Sequence, residues 1–398
     1  MKRMLSAGGD IGQAGELSLD PQGLPQVFNQ RWYGVDDNAP VLSGNLSVLS
    51  GNSVTLTIDN FDAFSTYQVT FNDEPLTLLE NTLTFTPSSG GKLVVVSTFG
   101  TTQLTVEVSY PDVSGAFTQL SAGPGTRQSH NGVVIDNELY IVGGKDTGAY
   151  NATEISDLWH YNADQDNWSV ITPTTSSART GQSAGAVGDT IYMFSGFLIR
   201  SAASYSLTNG GWNSIYFRPE WRQYSTTVDY QDKLYIFAGK GNANTLSDFW
   251  EYTPATATTE EIWRELPKRP GARYGHTAVV IDDQMIVFGG SNSSYFNDTW
   301  AYNFTTNSWN QLADGPGGRR YHCAAVANGK MYVYGGYGGN YLDELWVYDP
   351  ITNVWTLLGN GAAPRIYASL NNLNGKLYLF GGYLASPSTY YDDLWLIE

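Results

Sequence analysis

Between residues 273 and 312 the apolar positions fall in four short bursts: His276 to Ile281, Met285 to Phe288, Thr299 to Asn303 with a Trp-x-Tyr alternation, and Ser308 to Leu312 around a second Trp. Polar turn signals separate them: Asp282-Asp283, then Gly289-Gly290 with a polar run, then Phe304-Thr-Thr-Asn307. Bursts of four to six β-favouring residues joined by tight turns predict four strands of one small antiparallel sheet. Such a sheet cannot bury both of its faces alone, so the pattern has to recur elsewhere in the chain.

It recurs across most of the sequence. The closing residues of successive glycine pairs are Gly144, Gly196, Gly239, Gly290, Gly336 and Gly382, spaced 52, 43, 51, 46 and 46 residues apart. An apolar strand precedes each, as in LYIVGG, MIVFGG and LYLFGG, and an acid-x-Trp follows most: Asp157/Trp159, Asp248/Trp250, Asp298/Trp300, Glu344/Trp346 and Asp393/Trp395. A second Trp follows nine residues after the first at Trp168, Trp309 and Trp355, and thirteen after at Trp263. One Arg opens each unit: Arg127, Arg179, Arg222, Arg273, Arg319 or Arg320, and Arg365. The second copy departs furthest, with Ser195-Gly196, Tyr205 in place of the first Trp, and Trp212 as its single tryptophan before Trp221.

A double glycine with spaced Tyr and Trp at this period resembles the kelch repeat over roughly residues 115 to 398. The resemblance implies an all-β, six-bladed propeller over residues 112–398. The last copy stops after its third strand, and Gly115 to Pro124 matches the missing fourth, with Phe117 standing where the fourth copy has Trp309. Ring closure by that N-terminal strand follows as an expectation, and it would remove the open sheet edges. The resemblance also implies that Arg127, Arg179, Arg222, Arg273, Arg319 and Arg365 face the channel mouth, a position that binds acidic ligands in some members. The alternative is that each Arg pairs with the repeated acid and works as scaffold. Ala203 replaces that acid in the second copy, which makes Arg179 the expected free cation.

Upstream, residues 41–111 alternate with period two, as in Val54-x-Leu56-x-Ile58, Tyr67-x-Val69-x-Phe71 and Leu104-x-Val106-x-Val108. Short strands about ten residues apart predict a seven-strand sandwich. It is similar to immunoglobulin-like domains of bacterial and phage surface proteins, and it lacks the cysteine pair and core Trp of antibody domains. Residues 1–40 are polar but carry Leu24, Val27, Phe28, Trp32 and Tyr33, which suits an extended docking arm. Ser6 to Asp10 replaces the apolar core that a secretory signal would need.

Charge narrows the partners. A net charge of −17 and a pI near 4.5 argue against nucleic acid and anionic membranes. One cysteine excludes a disulfide framework, and no apolar run is long enough to span a membrane. His130, His276 and His322 each follow a repeat Arg by three residues, so the repeat itself explains them and no metal site or other cofactor is expected. Asn162-x-Asp164-x-Asp166 has calcium-loop spacing but falls in a hairpin turn. No catalytic constellation is evident. The expectation is a non-enzymatic virion structural protein, made in a host cytoplasm. It is anchored to capsid or tail proteins by its N-terminal arm and presents the propeller to a protein or host-surface glycan. The competing expectation is an enzyme similar to the bacterial kelch sialic acid mutarotase, with Glu220 beside Arg222 moving a proton.

Overall fold

The computed structural model describes the strands lying between residues 42 and 109, and residues 112–398 apart from 147–153, 173–177 and 257. The arm expected over residues 1–40 lies outside the described residues. All the regular structure described is β. The chain divides into two units, Met1–Pro111 and Asp112–Glu398, and each is taken by itself.

In the first unit the described strands form one four-stranded and one five-stranded sheet. Nine strands are described where seven were expected. Two segments account for the difference, because each crosses from one sheet to the other: Leu42–Gly44 passes to Ser47–Leu49, and Glu74–Leu76 passes to Leu78–Leu79. Glu74–Leu76 is an edge strand, where Pro75 and its missing N–H are tolerated. The period-two reading holds on both sheets. Leu56, Ile58 and Leu83 on one, and Val69 and Val95 on the other, are buried, while Thr55 and Val96 are exposed.

The second unit contains six four-stranded antiparallel sheets. The fourth illustrates them all, with strands Thr277–Ile281, Gln284–Phe288, Thr299–Asn303 and Ser308–Gln311. Five sheets are contiguous in sequence. The sixth takes Ser369–Leu373, Lys376–Phe380 and Leu394–Ile397 from the C-terminal end and Phe117–Gln119 from the other, with Phe117 opposite Ile397 and Gln119 opposite Trp395. The innermost strand of each sheet packs on those of the sheets before and after it, and Ser369–Leu373 packs back on Asn131–Ile135.

Aromatic rings fill the wedges between sheets. Trp309 lies 5.1 Å from Tyr302 in its own sheet and 5.4 Å from Phe237 in the preceding one, and Trp355 repeats this against Tyr348 and Phe288 at 5.1 and 4.6 Å. Each large ring so placed removes roughly 150–250 Å² from water. The glycine pairs follow from the same crowding. Gly290 has φ +93°, and a Cβ there would come within 2.8 Å of the His276 side chain.

Candidate functional site

The six repeat arginines are brought together around the ring, and all are buried, with at most 2% of their surface exposed. Arg273 shows why. Its two terminal nitrogens donate to both oxygens of Asp298 at 2.8 Å, Nη1 also reaches the Gly289 carbonyl at 2.9 Å, and Nε reaches the Gly271 carbonyl at 3.2 Å. The carboxylate in turn accepts the Trp300 indole N–H at 2.7 Å. Sequence spacing therefore encodes an Arg–carboxylate–Trp lock. It recurs at Arg127–Asp157–Trp159, Arg222–Asp248–Trp250, Arg319–Glu344–Trp346 and Arg365–Asp393–Trp395. Burial works to raise the Asp248 and Asp298 carboxyls, but hydrogen bonds and charge from Arg222 and Arg273 outweigh it and hold both below the usual range.

This geometry corrects two expectations. Arg179 is not the free cation that Ala203 suggested. Its Nη1 donates to the Ser195 and Ser201 carbonyls at 3.1 and 2.9 Å, and Glu154 faces it electrostatically. Arg222 does not form an acid–base couple with the Glu220 side chain either. Its donors go to Asp248, the Ala238 carbonyl and the main-chain carbonyl of Glu220. All six guanidinium groups hold the framework, because their terminal nitrogens are directed at internal acceptors, although the Nε of Arg127 is buried without one.

Two residues after each repeat Arg the backbone turns left-handed, at Ser129, Gly181, Tyr224, Gly275, Tyr321 and Tyr367, with φ between +54° and +65°. The N–H of each donates to the carbonyl of the equivalent residue one sheet back, Ser129 to Tyr367 at 3.0 Å and Tyr367 to Tyr321 at 3.0 Å, so six main-chain bonds form a closed circle. Tyr224, Tyr321 and Tyr367 pack together over it, ring centroids 4.3 to 5.4 Å apart, and close that end of the central channel. The next position carries the histidines. His276 shares a 2.9 Å hydrogen bond with Thr226 of the preceding sheet and lies edge-on to Phe237, and His322 does the same with Thr277 and Phe288. Burial, then the charge of Arg127 or Arg319, holds His130 and His322 down to about 3, so both are neutral. Among the described residues no group of three His, Cys, Asp or Glu side chains is placed to hold a metal ion. Asp166 of the calcium-like spacing is spent on Ser121 and the Tyr161 hydroxyl.

One residue after five of the six repeat arginines, the chain bridges to the loop that follows the second strand: Gln128 to Lys145, Gln223 to Lys240, Tyr274 to Ser291, Arg320 to Tyr337 and Ile366 to Tyr383. These pairs surround the mouth above the tyrosine lid. Arg320 is the exception among the arginines. It is half-buried in a cage of tyrosines, its Cζ 4.8 to 6.0 Å from the ring centroids of Tyr274, Tyr295, Tyr321 and Tyr337, and its Nη1 donates to the Tyr274 hydroxyl at 2.6 Å. Lys240 lies over the same Tyr274 ring at 5.4 Å. Among the described residues neither Arg320 nor Lys240 makes an ion pair, and the Nε of Arg320 is buried with no acceptor. In the second sheet the loop at this end, fixed by the Phe197 N–H bonded to the Thr180 carbonyl, exposes Phe197 (46%) and Leu198 (67%). Sequence reasoning missed Arg320, Lys240 and Tyr274. One signal was available: Arg319-Arg320 is the single place where the repeat Arg is doubled, and a repeat needs only one.

Comparison with known proteins follows the same residues. The model of the KLHDC2/KLHL20/DRC7 Kelch-repeats domain matches residues 129–315 and 314–398. Kelch domain-containing protein 3 of Bos taurus is 27% identical over 213 residues, covering 46% of this chain and 53% of that protein. Kelch-like protein terF of Aspergillus terreus is 25% identical over 220 residues, covering 50% and 47%. The Leucine-zipper-like transcriptional regulator 1 homolog of Drosophila melanogaster is 25% identical over 207 residues, covering 46% and 20%. The chain spans about half the length of the first two relatives.

Proposed function

The chain belongs to the kelch-repeat family, and from that premise we propose that it is a non-enzymatic protein-binding module. Residues 112–398 form a six-bladed propeller whose mouth takes an anionic segment of a partner protein. Six four-stranded sheets, joined by a closed circle of main-chain bonds, support the blade count. Two sheets with alternating buried positions support an immunoglobulin-like sandwich over residues 41–111. The observation that carries the binding site is the pair Arg320 and Lys240, two cations sharing Tyr274 without an internal acid. Among the described residues neither cation is neutralised by an internal acid, so a carboxylate arriving at the mouth finds a guanidinium and an ammonium group to pair with. Phe197 and Leu198 give the segment an apolar anchor at the same end, which is how a binding surface combines affinity with orientation.

The virion setting, with a capsid or tail partner held by the N-terminal arm, rests on the sequence alone. The relatives come from animals, fungi and a plant and lend it no support. A random peptide library panned on the full chain tests the binding reading. Recovered peptides should be rich in Asp or Glu beside an apolar residue, and Arg320→Ala should reduce their affinity about tenfold or more, the worth of a charge-assisted bond. Recovery of peptides without acids, or with affinities indifferent to Arg320, would overturn it.

A further inference from the structure

The channel has a second character at its opposite end. Behind the tyrosine lid a cavity of about 310 Å³ runs along the innermost strands of the first four sheets. That is the low end of the range for small-molecule pockets, which are mostly apolar with a few placed polar groups. Its walls fit the description: Val134, Ala186 and Val280 occupy equivalent positions on three of those strands, and Asp229 occupies the fourth. The equivalent residues of the fifth and sixth sheets are Val326 and Asn372, so Asp229 is the one carboxylate among six. Val134 and Asp229 are open to solvent, which makes the cavity accessible from this end.

Among the described residues Asp229 has no internal cation. The lysines at this end of the sheets are taken, Lys233 by Glu251 at 3.2 Å, Lys330 by Asp112 at 2.6 Å and Lys376 by Glu398 at 2.5 Å. Among the described residues no other side chain hydrogen-bonds its carboxylate, and desolvation by the channel wall pushes its pKa up, opposed only by its own backbone N–H. A carboxylate in an apolar well without a counter-charge is a ready partner for an ammonium group. We propose that this well binds an aliphatic primary amine, its ammonium on Asp229 and its alkyl body against Val134, Ala186 and Val280. The same chemistry is offered by a free alkylamine and by a lysine side chain of another protein. This site is separate from the Arg320 mouth and independent of it.

Isothermal titration of the full chain with n-pentylamine, Nα-acetyl-lysine amide and n-pentanol tests the proposal. Pentylamine should bind saturably, and Asp229→Asn should weaken it tenfold or more at an unchanged melting temperature. Ala186→Phe, which fills the well without touching the charge, should weaken it comparably. Pentanol should show no dependence on Asp229. Binding of the lysine amide as well as pentylamine would assign the site to a lysine side chain, and binding of pentylamine alone to a free amine. No saturable binding of either amine, or equal binding by the Asp229→Asn variant, would overturn the proposal.

Discussion

At the scale of the residue, the buried cations and the histidines beside them set both stability and its pH dependence. Arg179→Ala leaves the Ser195 carbonyl without its donor and the Ser201 carbonyl with only the Ser195 N–H, at about 1–3 kcal/mol. Its melting temperature should therefore fall, and an unchanged value would restore it as a free cation. The histidines act through linkage. His276 is held well below its ordinary 6.5, and His130 and His322 to about 3, first by burial and then by a neighbouring Arg. The unfolded chain takes up those protons near pH 6.5, so stability is lost as pH falls from there towards 3. Asp248, Asp298 and Glu344, all depressed, add their losses only below their ordinary 3.8 to 4.5. Between pH 6.5 and 4.5 these depressed carboxylates stay silent, and the raised Asp229 and Glu154 can only add stability as pH falls, so a loss there belongs to the histidines. Melting temperature should drop across this interval, and less so in His322→Gln; a flat profile in both proteins would contradict neutral buried histidines.

Elements were legible wherever period two coincided with turn residues. In the fourth sheet the expected segments and the strands agree within one residue, because Asp282-Asp283 and Gly289-Gly290 punctuate both ends. The N-terminal unit was less legible, since segments that switch sheets keep the alternation and give no sequence mark beyond Pro75. The pairing of Phe117–Gln119 with Leu394–Ile397 was readable from its match to the fourth strand of another copy. Phe117 then packs 5.6 Å from Tyr334 and 6.5 Å from Trp395. Deleting residues 115–124 should expose the Leu394–Ile397 edge and cause concentration-dependent association in light scattering. A monomeric deletion variant with the parent's melting temperature would show that the strand is dispensable.

At the scale of the whole molecule, function is a question of which charges are left over. The repeat marked Arg273 and its equivalents loudly, and repetition is itself the sign that they serve the ring. Arg320 and Lys240 break the repeat, so no periodicity announced them, and only the folded ring brings both onto Tyr274. The most direct test of this division is the melting temperature of Arg320→Ala beside that of Arg273→Ala. Removing Arg273 strands the largely buried Asp298 and should cost about 3–5 kcal/mol, a fall of roughly ten degrees. Among the described residues, removing Arg320 breaks no ion pair and strands no buried acid, so it should leave the melting temperature within about two degrees of the parent. A loss with Arg320→Ala as large as that with Arg273→Ala would mean that Arg320 is scaffold too, and the mouth would hold no spare guanidinium for a partner.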